Sequence, residues 1–255
     1  MQDQHSEKTS AAQLACAPVS YTVVTSEALA TKTISLDAAR RLEKANPLAL
    51  SGGTAQRATL QGDATAQLQM LAADLKSLTR QECVICAPPP PGPDNPKLVS
   101  RKNLPAHPGA ITRTDEHFRP QTGPALLGLD FDTADFPPTF REKIANAGGW
   151  HAALKSVCSA FGGAAMLTRA SVSSGLIIDG AATQDRGFHC YFIASDGVAA
   201  RDFVRTLADR LMLNGFIWGN VTSAGLVVYR TLFDVAASGD ASRLWYEADA
   251  VLSGN

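Results

Sequence analysis

Alternation of apolar and polar residues predicts two short strands near the start of the chain. Residues 21–26 (YTVVTS) and residues 82–88 (ECVICAP) are apolar runs of strand length. Between and after them, residues 50–56 (LSGGTAQ) are expected to form a turn or short loop. The proline-rich residues 88–97 (PPPPGPDNPK) are expected to form a stiff exposed loop, because proline lacks the backbone donor that a helix needs.

Two helices are predicted in the same part of the chain. The first covers residues 35–46, with Ser35 as its cap and Pro47 as its stop. The second covers residues 63–80 and begins at Asp63. Its apolar face repeats at helical spacing and consists of Leu68, Leu71, Leu75 and Leu78.

A strand with two carboxylates on one face is predicted at residues 127–132 (LGLDFD). Leu127, Leu129 and Phe131 alternate with the polar positions, so period-two geometry places Asp130 and Asp132 together on the other face. The rise of a strand separates two such residues by about 6–7 Å. A shared proton, an arginine or a metal ion would relieve the repulsion between the carboxylates. The alternative is a solvated strand end with two exposed aspartates.

The rest of the chain predicts three helices and two further strands. Helices are expected at residues 136–149, which open with two prolines, at residues 150–163, closed by Gly162, and at residues 195–215. The last of these would be capped by Ser195 or Asp196, buried along Val204, Leu207 and Leu211, and ended by Asn214 and Gly215. Strands are expected at residues 186–195, with His189, Tyr191 and Ile193 on one face, and at residues 224–238, with Arg230 and Asp234 on one face.

Composition narrows the function classes. The 255 residues are 45% hydrophobic and carry a net charge of −1, which fits a globular protein without a global basic field for nucleic acid. No apolar stretch reaches the roughly 18 residues of a membrane helix, so no membrane association is expected. The polar start and the five scattered cysteines favour a cytoplasmic protein without a disulfide framework.

Three segments, taken in order, resemble the archaeo-eukaryotic primase superfamily, in particular the primase-polymerase branch of phages, plasmids and other mobile elements. They are LLGLDFD, GFHCYF and VVYRTLFD, and the tail RTLFDVAASGDASRLWYEADAVL is also similar to that branch. The likeness covers the second half of the chain. SGGTAQR and GAITRTDEHFRPQTGPALL extend it loosely into the first half.

The resemblance implies a fold and a set of roles. The fold would be α/β (α+β), with a sheet like an RNA-recognition motif at residues 123–255 packed on an N-terminal α/β module at residues 21–122, after a flexible start at residues 1–20. Asp130, Asp132 and Asp234 would hold two Mg²⁺ or Mn²⁺ ions. The phosphates of the incoming dNTP or NTP would be contacted by His189, Arg230, Ser173 and Ser174.

The resemblance also implies partners. A single-stranded DNA template would bind a basic groove, for which the candidates are Arg101, Lys102, Arg113, Arg119 and Arg169. A replicative helicase, or a helicase or helical domain of a longer protein, would act with the chain. Gly187 departs from the pattern, because many relatives have a serine there. No zinc site is expected, because Cys83 and Cys86 form a single CxxC pair.

Three other functions compete with this interpretation. A haloacid-dehalogenase-like phosphatase also places Asp-x-Asp after a buried strand, but that family continues with Asp-x-Asp-x-Thr, and Ala134 occupies the threonine position. A replication or origin DNA-binding module could keep the primase fold without turnover. A glycosyltransferase could use Asp-x-Asp to hold a nucleotide sugar.

Overall fold

A computed structural model describes residues 17–37, 42–45, 52–178, 181–182 and 187–253. Helices and strands are both present, which confirms a mixed α/β protein. The strands in chain order are β1 (Val19–Ser26), β2 (Thr33–Leu36), β3 (Leu42–Ala45), β4 (Gly52–Leu60), β5 (Glu82–Ile85), β6 (Lys97–Val99), β7 (Ala125–Phe131), β8 (Leu167–Ala170), β9 (Ile177–Ile178), β10 (Ala181–Ala182), β11 (Phe188–Ala194), β12 (Trp218–Val221), β13 (Val227–Arg230) and β14 (Val251–Ser253). The α-helices are α1 (Ala64–Ser77), α2 (Pro138–Asn146), α3 (Trp150–Val157), α4 (Ala200–Leu213) and α5 (Val235–Ser238). Within the ranges described, no helix is both long enough and apolar enough to cross a membrane.

The first sheet has the order β5-β1-β4-β6, and every neighbouring pair in it is antiparallel. The predicted strands at residues 21–26 and 82–88 are confirmed as β1 and β5, and β1 begins at Val19, inside the stretch expected to be flexible. Residues 1–16 lie outside the described residues. The predicted helix at residues 63–80 is confirmed as α1, since the Asp63 carboxylate accepts a hydrogen bond from the Ala66 N–H at 2.9 Å.

Two predictions in the first part of the chain are wrong. The helix expected at residues 35–46 is replaced by β2 and β3, which pair with each other, and Ser35 lies in β2. Residues 38–41 and 46 lie outside the described residues. In place of the turn expected at residues 50–56, residues 52–56 form the start of β4, which pairs with β1 from Gly53 to Leu60, and residues 50 and 51 lie outside the described residues. In both places pairing with distant strands outweighs a weak local preference.

The second sheet has the order β7-β11-β8 and lies between two apolar layers. The predicted strands at residues 127–132 and 186–195 are confirmed as β7 and β11, which pair antiparallel with His189 opposite Asp130. Leu129 and Cys190 face helices α2, α3 and α4, whereas Tyr191 faces β1 and α1. The period-two pattern in the sequence therefore assigned the two faces of this sheet correctly.

Later elements begin and end differently from the prediction. Helix α3 ends at Val157 and is followed by a 3₁₀ turn at Ser159–Gly162, and α4 begins after Ala199 rather than after Ser195 or Asp196. The strand expected at residues 224–238 is limited to β13, which forms an exposed hairpin with β12. It stops because the Asp234 carboxylate accepts hydrogen bonds from the Ala236 and Ala237 N–H groups and so begins α5.

Residues 244–253, here named the closing segment, join the second half of the chain to the first. Trp245 and Val84 exchange backbone hydrogen bonds of 2.8 and 3.1 Å. The Thr31 hydroxyl donates to the Ala248 carbonyl at 2.8 Å, and β14 pairs in parallel with β2. The division at residues 122 and 123 stays a prediction, and the closing segment lies against both parts.

Gly128 provides the space that the closing segment needs. A Cβ atom at this position would lie 2.7 Å from Cζ2 of the buried Trp245 ring, a distance that requires something to shift. We expect Gly128→Ala to lower the free energy of unfolding by about 1–3 kcal/mol, because added volume in a packed core strains its neighbours. Urea unfolding measures the change. Gly163→Ala is the control, since a Cβ there meets no atom within 4 Å; equal midpoints for the two variants would contradict the prediction.

Candidate functional site

The pairing of β7 with β11 brings the first two sequence motifs together. Asp130 and His189 are direct cross-strand partners, and His189 Nε2 lies 3.5 Å from Asp130 Oδ1. Both side chains are mostly buried, with 25% of Asp130 and 13% of His189 exposed. The Asp130 carboxylate and the His189 imidazole thus meet near the end of strand β7.

The third motif reaches the same point through backbone hydrogen bonds. The Asp234 N–H donates to the Asp130 carbonyl at 2.8 Å, and the Asp130 N–H donates to the Ser238 hydroxyl at 3.1 Å. Helix α5 thereby satisfies backbone groups of β7 that would otherwise need another strand. Asp234 is therefore beside Asp130, although it caps a helix and does not extend β13 as the sequence suggested.

The carboxylates of Asp130, Asp132 and Asp234 place several negative charges near the end of β7. Burial raises the pKa of Asp130, and the nearby Asp234 and Asp132 carboxylates raise it further, whereas His189 and Arg243 lower it. Asp132 follows β7 and its side chain is exposed. Asp130 therefore interacts electrostatically with both of the other aspartates predicted from the sequence.

The three aspartates supply the carboxylate oxygens that a divalent cation would need. Among the residues described, no group of three or more His, Cys, Asp or Glu side chains is already arranged to hold a metal ion. The chemistry of the group nevertheless suits Mg²⁺ or Mn²⁺, because these ions prefer carboxylate oxygens. The mutual repulsion at Asp130 is the kind of excess charge that a cation would neutralise.

A cleft of about 280 Å³ opens beside Asp130 and His189, and it is named the His189 cleft here. Three basic side chains from separate parts of the chain line it: Lys32, Arg113 and Arg243. Leu244, Trp245 and Tyr246 complete its walls. A cleft with three cations beside a histidine is suited to a polyanionic ligand.

Arg230 lines a neighbouring cleft of about 270 Å³ together with Asp132 and Asp234. It lies at the end of the exposed strand β13, opposite Trp218 of β12. The structure therefore brings Arg230 to the side of the site where two of the three aspartates lie.

Ser173 and Ser174 lie in the turn after β8, and hydrogen bonds attach this turn to the start of β11. The Ser174 hydroxyl donates to the Gly187 carbonyl at 2.9 Å, and the Ser171 N–H donates to the same oxygen at 3.0 Å. Ser173 is buried, with its Oγ 3.4 Å from that of Ser171. Neither Ser173 nor Ser174 lines the His189 cleft.

Gly187 has a structural reason for departing from the family pattern. Its φ is +137°, and a Cβ atom there would lie 2.3 Å from the Phe131 carbonyl oxygen. A serine could not occupy this position unless the backbone at the end of β7 moved. The close approach of the two strands beside Asp130 therefore requires glycine.

A buried glutamate that the sequence did not single out holds His189 from behind. Glu247 has 1% of its side chain exposed, and its Oε1 accepts from His189 Nδ1 at 2.5 Å and from the Tyr191 hydroxyl. Its Oε2 lies 2.8 Å from Arg169 Nε. The only signal in the sequence was its place in the RLWYE part of the tail, which carried no indication of burial.

The basic residues suggested for template binding fall in different places. Arg169 is held by Glu247, and Arg113 lines the His189 cleft. Arg101, Lys102 and Arg119 are exposed on the surface. Lys32 and Arg243 were not identified from the sequence, because nothing in their local pattern indicates that they converge.

Cys83 is buried in β5, and Cys86, directly after that strand, is half-buried. Burial raises the pKa of each thiol to about 12. The two groups are therefore neutral thiols near pH 7, and they contribute to packing rather than presenting thiolates.

Comparison with known protein families, with curated proteins and with solved structures gives no match for this chain.

The raised pKa of Asp130 predicts that ionisation of its carboxyl group destabilises the folded state. Above its folded pKa the ionised carboxylate destabilises the folded state, and this cost disappears as pH falls through the window between the folded pKa and the ordinary value of 3.8. Asp130→Asn should therefore raise the free energy of unfolding near pH 7, and its advantage over wild type should shrink toward pH 4.

Urea unfolding at the two pH values measures this difference, with Asp209→Asn as the control for an exposed aspartate. An Asp130→Asn protein less stable than wild type near pH 7 would contradict the prediction. So would an advantage that does not depend on pH.

Proposed function

We propose that the chain is a template-dependent nucleotidyltransferase that makes or extends primers on single-stranded DNA, as a DNA primase or polymerase of a mobile element, plasmid or phage. The observation that carries the proposal is the meeting of three sequence motifs at one point. His189 of the second motif pairs with Asp130 of the first, and Asp234 of the third is hydrogen-bonded to the same Asp130.

The reaction would join a primer 3′-hydroxyl to a nucleoside triphosphate. The hydroxyl gives up its proton to water and its oxygen forms a bond to the α-phosphorus, while the bond from that phosphorus to the bridging oxygen breaks and pyrophosphate leaves. Asp130, Asp132 and Asp234 would hold two Mg²⁺ or Mn²⁺ ions, which when bound stabilise the attacking and leaving oxygens. Such phosphoryl transfer depends mainly on positioning and charge neutralisation.

The His189 cleft supports the binding of the triphosphate. Arg113 and Arg243 offer paired N–H donors to phosphate oxygens, and Lys32 adds a third positive charge. His189 and Asp130 both line this cleft and lie 3.5 Å apart, so a ligand in the cleft would lie against the Asp130 carboxylate. Arg230, on the side of Asp132 and Asp234, would contact a phosphate from the other cleft.

The architecture is compatible with a primase-like core. In this proposal the sheet β7-β11-β8, with helices on one face, corresponds to the sheet that resembles an RNA-recognition motif. The first sheet and α1 correspond to the N-terminal module. A DNA template, a helicase partner and a cytoplasmic location belong to the same proposal, and template binding would weaken as salt rises.

Asp234→Asn removes the negative charge of this side chain but keeps its role as a helix cap, and so tests the catalytic role of Asp234. Asparagine caps a helix about as well as aspartate, so α5 should persist while a metal-binding charge is lost. We expect nucleotide incorporation to fall at least about 100-fold, because losing several kcal/mol of charge stabilisation has that effect on a rate. The assay uses primed and unprimed single-stranded DNA with Mg²⁺ or Mn²⁺.

The controls in this assay also discriminate between functions. Asp209→Asn should incorporate like wild type, and Asp130→Ala/Asp132→Ala should make no product. Product on unprimed DNA indicates a primase, and product on primed DNA alone indicates a polymerase. A folded wild-type protein that binds DNA and makes no product on either template would favour the non-catalytic DNA-binding module.

Arg243→Gln tests the triphosphate contact. A hydrogen bond to a charged group contributes about 1.5–3 kcal/mol, so we expect the KM for the nucleotide to rise at least about 10-fold while kcat changes little. Steady-state incorporation on a primed template measures both constants. Arg205→Gln, an exposed arginine of α4, is the matched control, and an equal KM for the two variants would contradict the assignment.

A further inference from the structure

Glu247 carries a charge in a place where a charge is costly. Its side chain is almost completely buried, and an unpaired carboxylate in the interior would strongly destabilise the protein. Three donors compensate for the burial: Arg169, Tyr191 and His189. Each comes from the second sheet, β8 for the first and β11 for the other two.

The contacts of Glu247 require a proton on Nδ1 of His189 and leave Nε2 free to carry a second one. A carboxylate accepts hydrogen bonds and donates none, and Glu247 Oε2 is ion-paired with Arg169. Burial and the same carboxylate raise the pKa of Tyr191, so its phenol keeps its proton and donates. His189 must then donate from Nδ1, which leaves Nε2 directed to Asp130, 3.5 Å away.

Trp245 restricts the orientation of the same imidazole ring. The rings of Trp245 and His189 meet edge to face, with centroids 5.0 Å apart and planes at 86°. Rotation of His189 would lose both this contact and the hydrogen bond to Glu247. The ring is therefore held from two sides before any ligand enters the cleft.

We propose that Glu247 is a positioning residue, which holds His189 so that Nε2 faces Asp130 and the phosphates of a nucleoside triphosphate in the His189 cleft. The inference rests on the proposed function, because His189 is the group that would contact the nucleotide. Glu247 itself does not line the cleft, so any effect it has on the ligand must pass through His189.

The proton position is tested first, on the wild-type protein and without any activity. Nitrogen-15 NMR of the histidine side chains reports which ring nitrogen is protonated, and comparison with His189→Ala assigns the signal. We expect a proton on Nδ1 in slow exchange with water. A proton on Nε2 alone would overturn the proposal, whether or not the protein makes DNA.

A double-mutant cycle then tests whether Glu247 acts through His189. We expect Glu247→Gln to weaken binding of dATP with Mn²⁺ about 10- to 100-fold. Losses of this size follow when the hydrogen-bond partner behind a metal-ligating histidine is removed. In the His189→Ala background the same substitution should change the dissociation constant less than about 2-fold. Asp249→Asn, an exposed acid two residues further on, should match wild type.

The possible results distinguish a failure of the positioning role from a failure of the proposed function. Equal effects of Glu247→Gln in both backgrounds would show a general structural role and overturn the positioning role. A wild-type protein that neither binds dATP nor incorporates nucleotides would refute the proposed function, and the NMR result alone would then decide the orientation of His189. If Glu247→Gln does not fold, the NMR measurement on the wild-type protein still decides the proposal, because it needs no variant at position 247.

Discussion

The burial of the Glu247 carboxylate is the constraint on which the arrangement of the site depends. A charge in the interior is tolerated only when donors surround it, so Arg169, Tyr191 and His189 must all be in place. Arg169 also donates to the Glu247 carbonyl at 2.7 Å, which fixes the backbone of the closing segment as well as its side chain. Strands β8 and β11 and the closing segment therefore hold one another in register.

On the opposite side of His189, the Asp130 carboxylate is less well compensated than Glu247. Asp130 is partly buried among like charges, and its carboxylate has no arginine hydrogen-bonded to it in the part of the chain described. A well-compensated acid and a poorly compensated acid thus flank one imidazole. Carboxyl groups with raised pKa values are common at functional sites, whereas fully hydrogen-bonded buried acids are typical of structural positions.

Local pattern predicted this protein well where burial on a sheet face decided the structure. The alternation in β7 and β11 identified both strands and their faces, whereas the approach of Asp130 to His189 was expected only from the resemblance to primases. It failed at β2 and β3 and at the turn into α5, because distant partners or a single capping side chain determine those elements. Lys32, Arg243 and Glu247 could not be assigned, since their roles arise from neighbours many residues away in the chain.

The hydrogen bond between Thr31 and Ala248 spans 217 residues, and it has a consequence for synthesis of the protein. A ribosome would complete β1, α1 and most of the second sheet while the closing segment was still inside the exit tunnel. Until Trp245 emerged, the apolar surface formed by Val84 and Tyr191 would be uncovered, and His189 would have no partner at Nδ1. Nascent chains would therefore offer chaperones an apolar surface, and the site would assemble only after the closing segment had left the ribosome.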